Sequence, residues 1–312
     1  MGAMIQIYNG DSTLMTAKRS GIPGEHLAFR EALIVGPVAP KPDLETRARF
    51  LSEAYGGNLL KTRTDLLEQE RALTDAAKHD EIVLWFEHDL YCLVHFAYLL
   101  QRFSRRNLSV VWCPTPLGTK DEAELAKLYE SRAAVTPLLT KAAAAAWRAY
   151  TSPDPTSLNA VIASWSDVPF FREGIALHAS RFPSLRNGVG TVGNRILTLV
   201  EKGAADFATL FFRFDDDPPR LGFGDAELLR ELRAMARATV PLITLTEARE
   251  GGPPKALIAL TPAAANVISG SVDYLALVVP DEWLGGAHLT GESIWRWDEQ
   301  LRRLQASRPR VS

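Results

Sequence analysis

Asp80-Glu81-Ile82-Val83-Leu84-Trp85-Phe86-Glu87-His88-Asp89-Leu90 joins a continuous apolar run to three ionisable residues. Ile82 to Phe86 has the length and the β-branched and aromatic content of a strand buried on both faces, as parallel strands under helices are. Leu90, Leu93, Val94 and Ala97 then recur at helical spacing. Strand, Glu-His-Asp, helix is the order this predicts. It puts the three polar residues at the carboxyl end of a parallel strand, the edge of an open α/β sheet where ligands bind.

Flanking segments repeat the pattern. Ile5 to Tyr8 reads as a strand that runs into Asn9-Gly10-Asp11-Ser12 and a short helix closed by Gly21. Asp11 or Ser12 is expected to cap that helix, and the same helix start would suit an anion. Ala32 to Val35, after Arg30-Glu31, reads as a second strand ended by Gly36-Pro37. Residues 43 to 79 read as helices broken at Gly56-Gly57. Arg47 and Arg49 there are expected on a solvated face, although either could reach an anionic group. Leu108 to Trp112 is a further strand. Four strands alternating with helices predict an α/β fold with a doubly wound, mainly parallel sheet.

Helix is expected from 119 to 150, broken at Ser152-Pro153-Asp154-Pro155, and again to about Arg181. Three helices then precede two short strands, Leu242 to Leu245 and Leu257 to Leu260, joined by a Gly251-Gly252-Pro253-Pro254 turn. That is the order of a winged helix. The expected organisation is an α/β ligand-binding domain over 1–118, a helical bridge over 119–181, and a C-terminal α+β winged-helix-like domain with tail over 182–312.

Bulk composition narrows the function classes. With 312 residues, 46% hydrophobic and 23% charged, the chain is an ordinary globular one with room for two cores. A formal charge of −2 gives no overall attraction to nucleic acid or an anionic membrane, so neither is an expected partner. Cys92 and Cys113 are too few for a disulfide scaffold or a Cys-rich zinc site and suit a reducing cytoplasm. No stretch approaches a membrane helix.

Several motifs together carry a family resemblance: Asn9-Gly10-Asp11-Ser12, Gly36-Pro37-Val38, Leu84-Trp85-Phe86-Glu87-His88-Asp89-Leu90, Gly285-Gly286-Ala287-His288-Leu289 and Trp295-Arg296-Trp297-Asp298. The chain resembles the bacterial domain-of-unknown-function-1835 family over most of its length. The resemblance implies the domain order and transfers no reaction. One departure is the helix after Glu-His-Asp, commonly glutamine-rich in that family, where this chain has Cys92, Val94 and His95.

Three chemistries are open at the strand end. His88 can serve as acid or base with Glu87 and Asp11, because an imidazole with a pKa near 6.5 exchanges protons at neutrality. Asp89 sits where a helix N-cap belongs, and alternation along a strand sends Glu87 and His88 to opposite faces. Zinc through His88, Cys92 and His95 is the metal alternative, set against His88 preceding the helix and Cys92 having apolar neighbours. A Ser12–His88 triad lacks the Gly-x-Ser-x-Gly elbow. Neither a dinucleotide fingerprint, a Walker A loop nor His-Glu-x-x-His occurs, so common cofactors are not indicated.

The expected function is binding of a small polar or anionic molecule by Asn9, Gly10, Ser12, Arg30, Gly36 and Asp89, with His88 chemistry. The alternatives are a ligand-responsive winged-helix transcriptional regulator and a non-catalytic interaction module. Two tryptophans, Trp295 and Trp297, predict a tail that clasps the α/β domain and brings His288 or Arg296 to the rim of the site.

Overall fold

The computed structural model describes residues 2–41, 43–104, 106–217, 220–248 and 254–307. In chain order the first elements are β1 (Met4–Tyr8), α1 (Asp11–Ala17), β2 (Glu25–Ala28), β3 (Gly36–Pro37), α2 (Leu44–Tyr55), α3 (Leu59–Ala76), β4 (Glu81–Glu87), α4 (Leu90–Arg102) and β5 (Leu108–Cys113). The middle of the chain adds α5 (Glu122–Glu130), β6 (Ala133–Ala134), α6 (Pro137–Tyr150), α7 (Leu158–Ser164) and α8 (Pro169–Ala179).

The main sheet runs β2-β1-β4-β5-β6, parallel throughout except for the antiparallel edge β6. Its central strand β4 shows why the apolar run is continuous. Ile82, Leu84 and Phe86 enter the large core on the α3–α4 side, while Val83 and Trp85 enter a smaller core under α1 and α5. Both faces are covered by helices, so the fold is a doubly wound α/β sheet. Residues 119–181 join this layer: β6 extends the sheet, and α6 and α8 pack on α4.

Two expectations fail here for physical reasons. Ala32 to Val35 is not a strand but a buried loop, and the second parallel strand is β2, seven residues earlier. The apolar side chains of the loop are core residues, and its backbone is satisfied by side chains in place of a neighbouring strand. Arg47 donates to the carbonyls of Ala32, Val35 and Pro37 at 3.0, 2.6 and 3.2 Å. Tyr150 takes Leu33 at 2.7 Å and Arg181 takes Ile34 at 2.9 Å. Arg47 is therefore not on a solvated face. It is 3% exposed and ion-paired with buried Glu31 at 2.8 Å. Arg49 is exposed, as expected.

The last third contains α9 (Thr191–Glu201), α10 (Phe207–Phe214), α11 (Asp225–Arg237), β7 (Ile243–Glu247), β8 (Ala256–Leu260), α12 (Pro262–Ile268), β9 (Glu282–Gly285), β10 (Ala287–Leu289), β11 (Ile294–Asp298) and β12 (Arg303–Ser307). Three helices followed by the antiparallel pair β7–β8 keep the winged-helix order. The turn expected at Gly251-Gly252-Pro253 lies outside the described residues. The tail reaches the first domain: β9 pairs in parallel with β3, and Val38 N–H donates to Gly285 at 3.0 Å. Gly285 has φ 65°, and a Cβ there would stand 2.2 Å from the Tyr150 carbonyl oxygen, so glycine is required for this approach.

Candidate functional site

At the end of β4, Glu87 is a structural brace. Its Oε1 accepts the Asn9 amide, and its Oε2 accepts Leu117 N–H at 3.0 Å, tying together the ends of β1, β4 and β5. Asn9 also reaches the Cys92 Sγ at 3.5 Å and accepts the Thr13 hydroxyl at 3.1 Å. Asp89 is the N-cap of α4, accepting Cys92 N–H at 2.6 Å, as its position in the sequence suggested. One ligand atom each from Glu87, Asp89 and Cys92 lies within 4.8 Å of the others. Burial raises the Glu87 pKa and pushes the Cys92 thiol well up. Burial, then the Glu87 charge, pushes Asp89 up to about 8. Burial therefore favours the protonated forms of Asp89 and Cys92, and a neutral thiol is a poor nucleophile.

The C-terminal half presses on the same turn. Leu90 and Tyr91 donate their N–H groups to the Arg220 and Leu221 carbonyls, both at 3.1 Å. Gly222 has φ 71°, and a Cβ there would lie 2.5 Å from the Asp89 carboxyl carbon. Asp215 holds that loop by accepting Leu221 N–H at 3.0 Å and Gly222 N–H at 2.7 Å.

His88 does not join Glu87. Its N–H donates to the Cys113 carbonyl at 3.1 Å, and its ring turns to Trp112 and Phe170, with centroids 5.1 and 5.6 Å away. Burial first, then the Arg220 charge, lowers its pKa. The expected His88–Glu87–Asp11 constellation is divided by strand alternation and by distance along the sheet edge. Asp11 is exposed and ion-paired with Arg30 at 2.6 Å, and the N-cap of α1 is Gly10, so neither Asp11 nor Ser12 caps it. The Ser12 hydroxyl lies 3.4 Å from the Gly118 carbonyl.

The zinc set is not assembled either. His95 is fully buried against Phe29 and Tyr91, and burial drops its pKa to about 3. Gly36 is buried beneath the Phe50 ring in the β3–β9 pairing. The tail residues also have local roles. His288 bonds Asp281 at 2.7 Å and stacks on Trp283, while Arg296 bonds Asp273 and the Ser184 carbonyl, each at 2.6 Å. The tail meets the first domain through β9 while the Trp297 backbone bonds Pro183 and Leu185, and neither His288 nor Arg296 is carried to the strand-end cluster.

A cleft opens at the carboxyl end of β2. It measures about 700 Å³ and is walled by the Arg30–Ala32 segment, α2, α3 and the start of α11. Tyr55 of α2 donates its hydroxyl to Glu227 of α11 at 2.9 Å, joining the two halves there. Gln69 of α3 is the residue the sequence reading missed. Its Oε1 accepts Arg30 N–H at 3.0 Å, which fixes the amide orientation. The Nε2 is then a buried donor with no partner among the described residues, at a cost of about 1–3 kcal/mol. A signal existed: Gln69 is the polar member of the buried stripe Leu66, Gln69, Leu73, Ala76.

No protein-family model matches the chain, and no curated protein matches it either.

Proposed function

We propose that this chain binds a small polar molecule in the cleft at the carboxyl end of β2, where the sheet domain and α11 meet. One observation carries the reading: the cleft sits at the ligand-binding edge of a doubly wound sheet, and Gln69 in its wall carries an oriented, unsatisfied donor just beneath the surface. His88 is not part of this site. Membership of the domain-of-unknown-function-1835 family remains a proposal resting on the motifs quoted above.

The test is a thermal-shift screen of a polar metabolite library on the intact chain and on Ala72→Trp, which fills the cleft. Ligands that stabilise the first and not the second support the reading. A ligand that stabilises both equally binds elsewhere and sinks it.

A second reading is favoured by the cleft wall itself. Because α11 belongs to the winged-helix-like half, ligand binding can change how that half is held, as in a ligand-responsive regulator. Arginines of α11 pair with acids, Arg230 with Glu231 and Arg233 with Glu247, which leaves little for a phosphate backbone. Salt-sensitive binding to duplex DNA at low ionic strength would support the regulator, and its absence would remove DNA as the target.

A further inference from the structure

Once the cleft is taken as the ligand site, the chemistry left unused on its walls narrows the ligand. Gln69 Nε2 is a donor without an acceptor. Among the described residues Arg30 pairs with Asp11 and feels Asp65, and the Arg30–Asp11 side chains are 57% and 56% exposed, so an incoming carboxylate can share the guanidinium cheaply. Among the acids of the walls, Glu31 is matched by Arg47 and Asp65 by Lys61. Glu68 and Glu227 are matched by no cation among the described residues, and Glu227 accepts only Tyr55 O–H and Gly224 N–H. Leu51, Leu66 and Ala72 supply apolar surface between these groups. The leftover groups ask for one acceptor anion, one cation and an apolar body in a single molecule, and the acidic excess disfavours a dianion such as phosphate.

We propose that the cleft takes a free amino acid with an apolar side chain. Its carboxylate would meet Gln69 Nε2 and the Arg30 guanidinium, its ammonium group Glu227 and Glu68, and its side chain the leucines. The last torsion of a glutamine is broad and soft, so a small rotation presents Nε2 while Oε1 keeps the Arg30 N–H.

Isothermal titration calorimetry of the full chain with L-leucine, 4-methylpentanoate, 3-methylbutylamine and inorganic phosphate tests this. L-leucine should bind saturably and each one-ended analogue at least about tenfold more weakly, the scale of one hydrogen bond to a charged group. Gln69→Glu keeps the acceptor for Arg30 N–H but replaces the free donor with a carboxylate, and should abolish binding. Arg30→Ala, on the exposed rim where folding is not at risk, should weaken it about tenfold. L-leucine binding unchanged in both variants overturns the recognition. Binding of an analogue or phosphate without L-leucine, lost in Ala72→Trp, overturns the amino-acid class and leaves the cleft standing. If all four probes and the polar library are silent on the intact chain, both readings fall.

Discussion

The turn at Glu87–Asp89 and the cleft at Gln69 lie on the same sheet edge and differ in how their polar groups are committed. At the turn, both Glu87 oxygens, the Asp89 cap and the facing Gly222 loop are engaged with neighbours. At the cleft wall, an oriented amide donor and the Glu68 carboxylate have bonding capacity left over. A dense group of ionisable residues marks a place where secondary elements are fastened together. The open chemistry lies next to it, where the fastening stops.

The strongest way to break this contrast is at the buried pair that shapes the wall between them. Arg47→Ala strands Glu31 and removes the partner of two loop carbonyls and of the Pro37 carbonyl, and is expected to cost about 3–5 kcal/mol in urea denaturation. Arg47→Met with Glu31→Gln removes both charges and should recover a large part of that. Recovery of nothing would mean that the carbonyl contacts dominate.

Next in size is Gly222→Ala, which forces a side chain into the left-handed region and against Asp89. About 1–3 kcal/mol should be lost. Limited proteolysis should show faster cleavage near residues 220–223, and an unchanged pattern would show that Gly222 does not clamp the turn.

Asp89 sharpens the comparison through pH. Its folded pKa is raised, so the folded state holds a proton that the unfolded chain releases above about pH 4. The associated stability is fully present below that pH and is lost as pH rises through about 8. Asp89→Asn can still cap α4 and should flatten this part of a Tm-against-pH profile. An unchanged slope would place the titration elsewhere.

The smallest effect is expected at Asp11→Ala, where an exposed ion pair is removed at a cost below about 1 kcal/mol. A larger loss would mean that Arg30 is held by Asp11 more firmly than its exposure suggests, and would count against its availability to a ligand.

How much of this was legible follows burial. Strands β1, β4 and β5 were readable because their side chains are buried in the two cores under helices. Edge strand β2 was not, since within Glu25-His26-Leu27-Ala28 only Ala28 is buried. Ala32 to Val35 misled because apolar content reports burial and cannot distinguish a strand from a loop whose carbonyls are met by distant Arg47, Tyr150 and Arg181. Glu87 and Asp89 stood out as charges ending an apolar run. Gln69 did not, because one amide within a helical stripe declares itself only when its partner is found missing.

The pairing of β3 with β9 also sets an order of assembly. During synthesis from the amino terminus, every strand of the main sheet is available once β6 has been made, but Gly36–Pro37 must wait for Glu282–Gly285. Closing so long a loop is slow, and its contact rewards the chain only at the end. Until then β3 has no strand to pair with. A chain stalled before β9 should therefore leave Gly36–Pro37 open, although its main sheet is already complete.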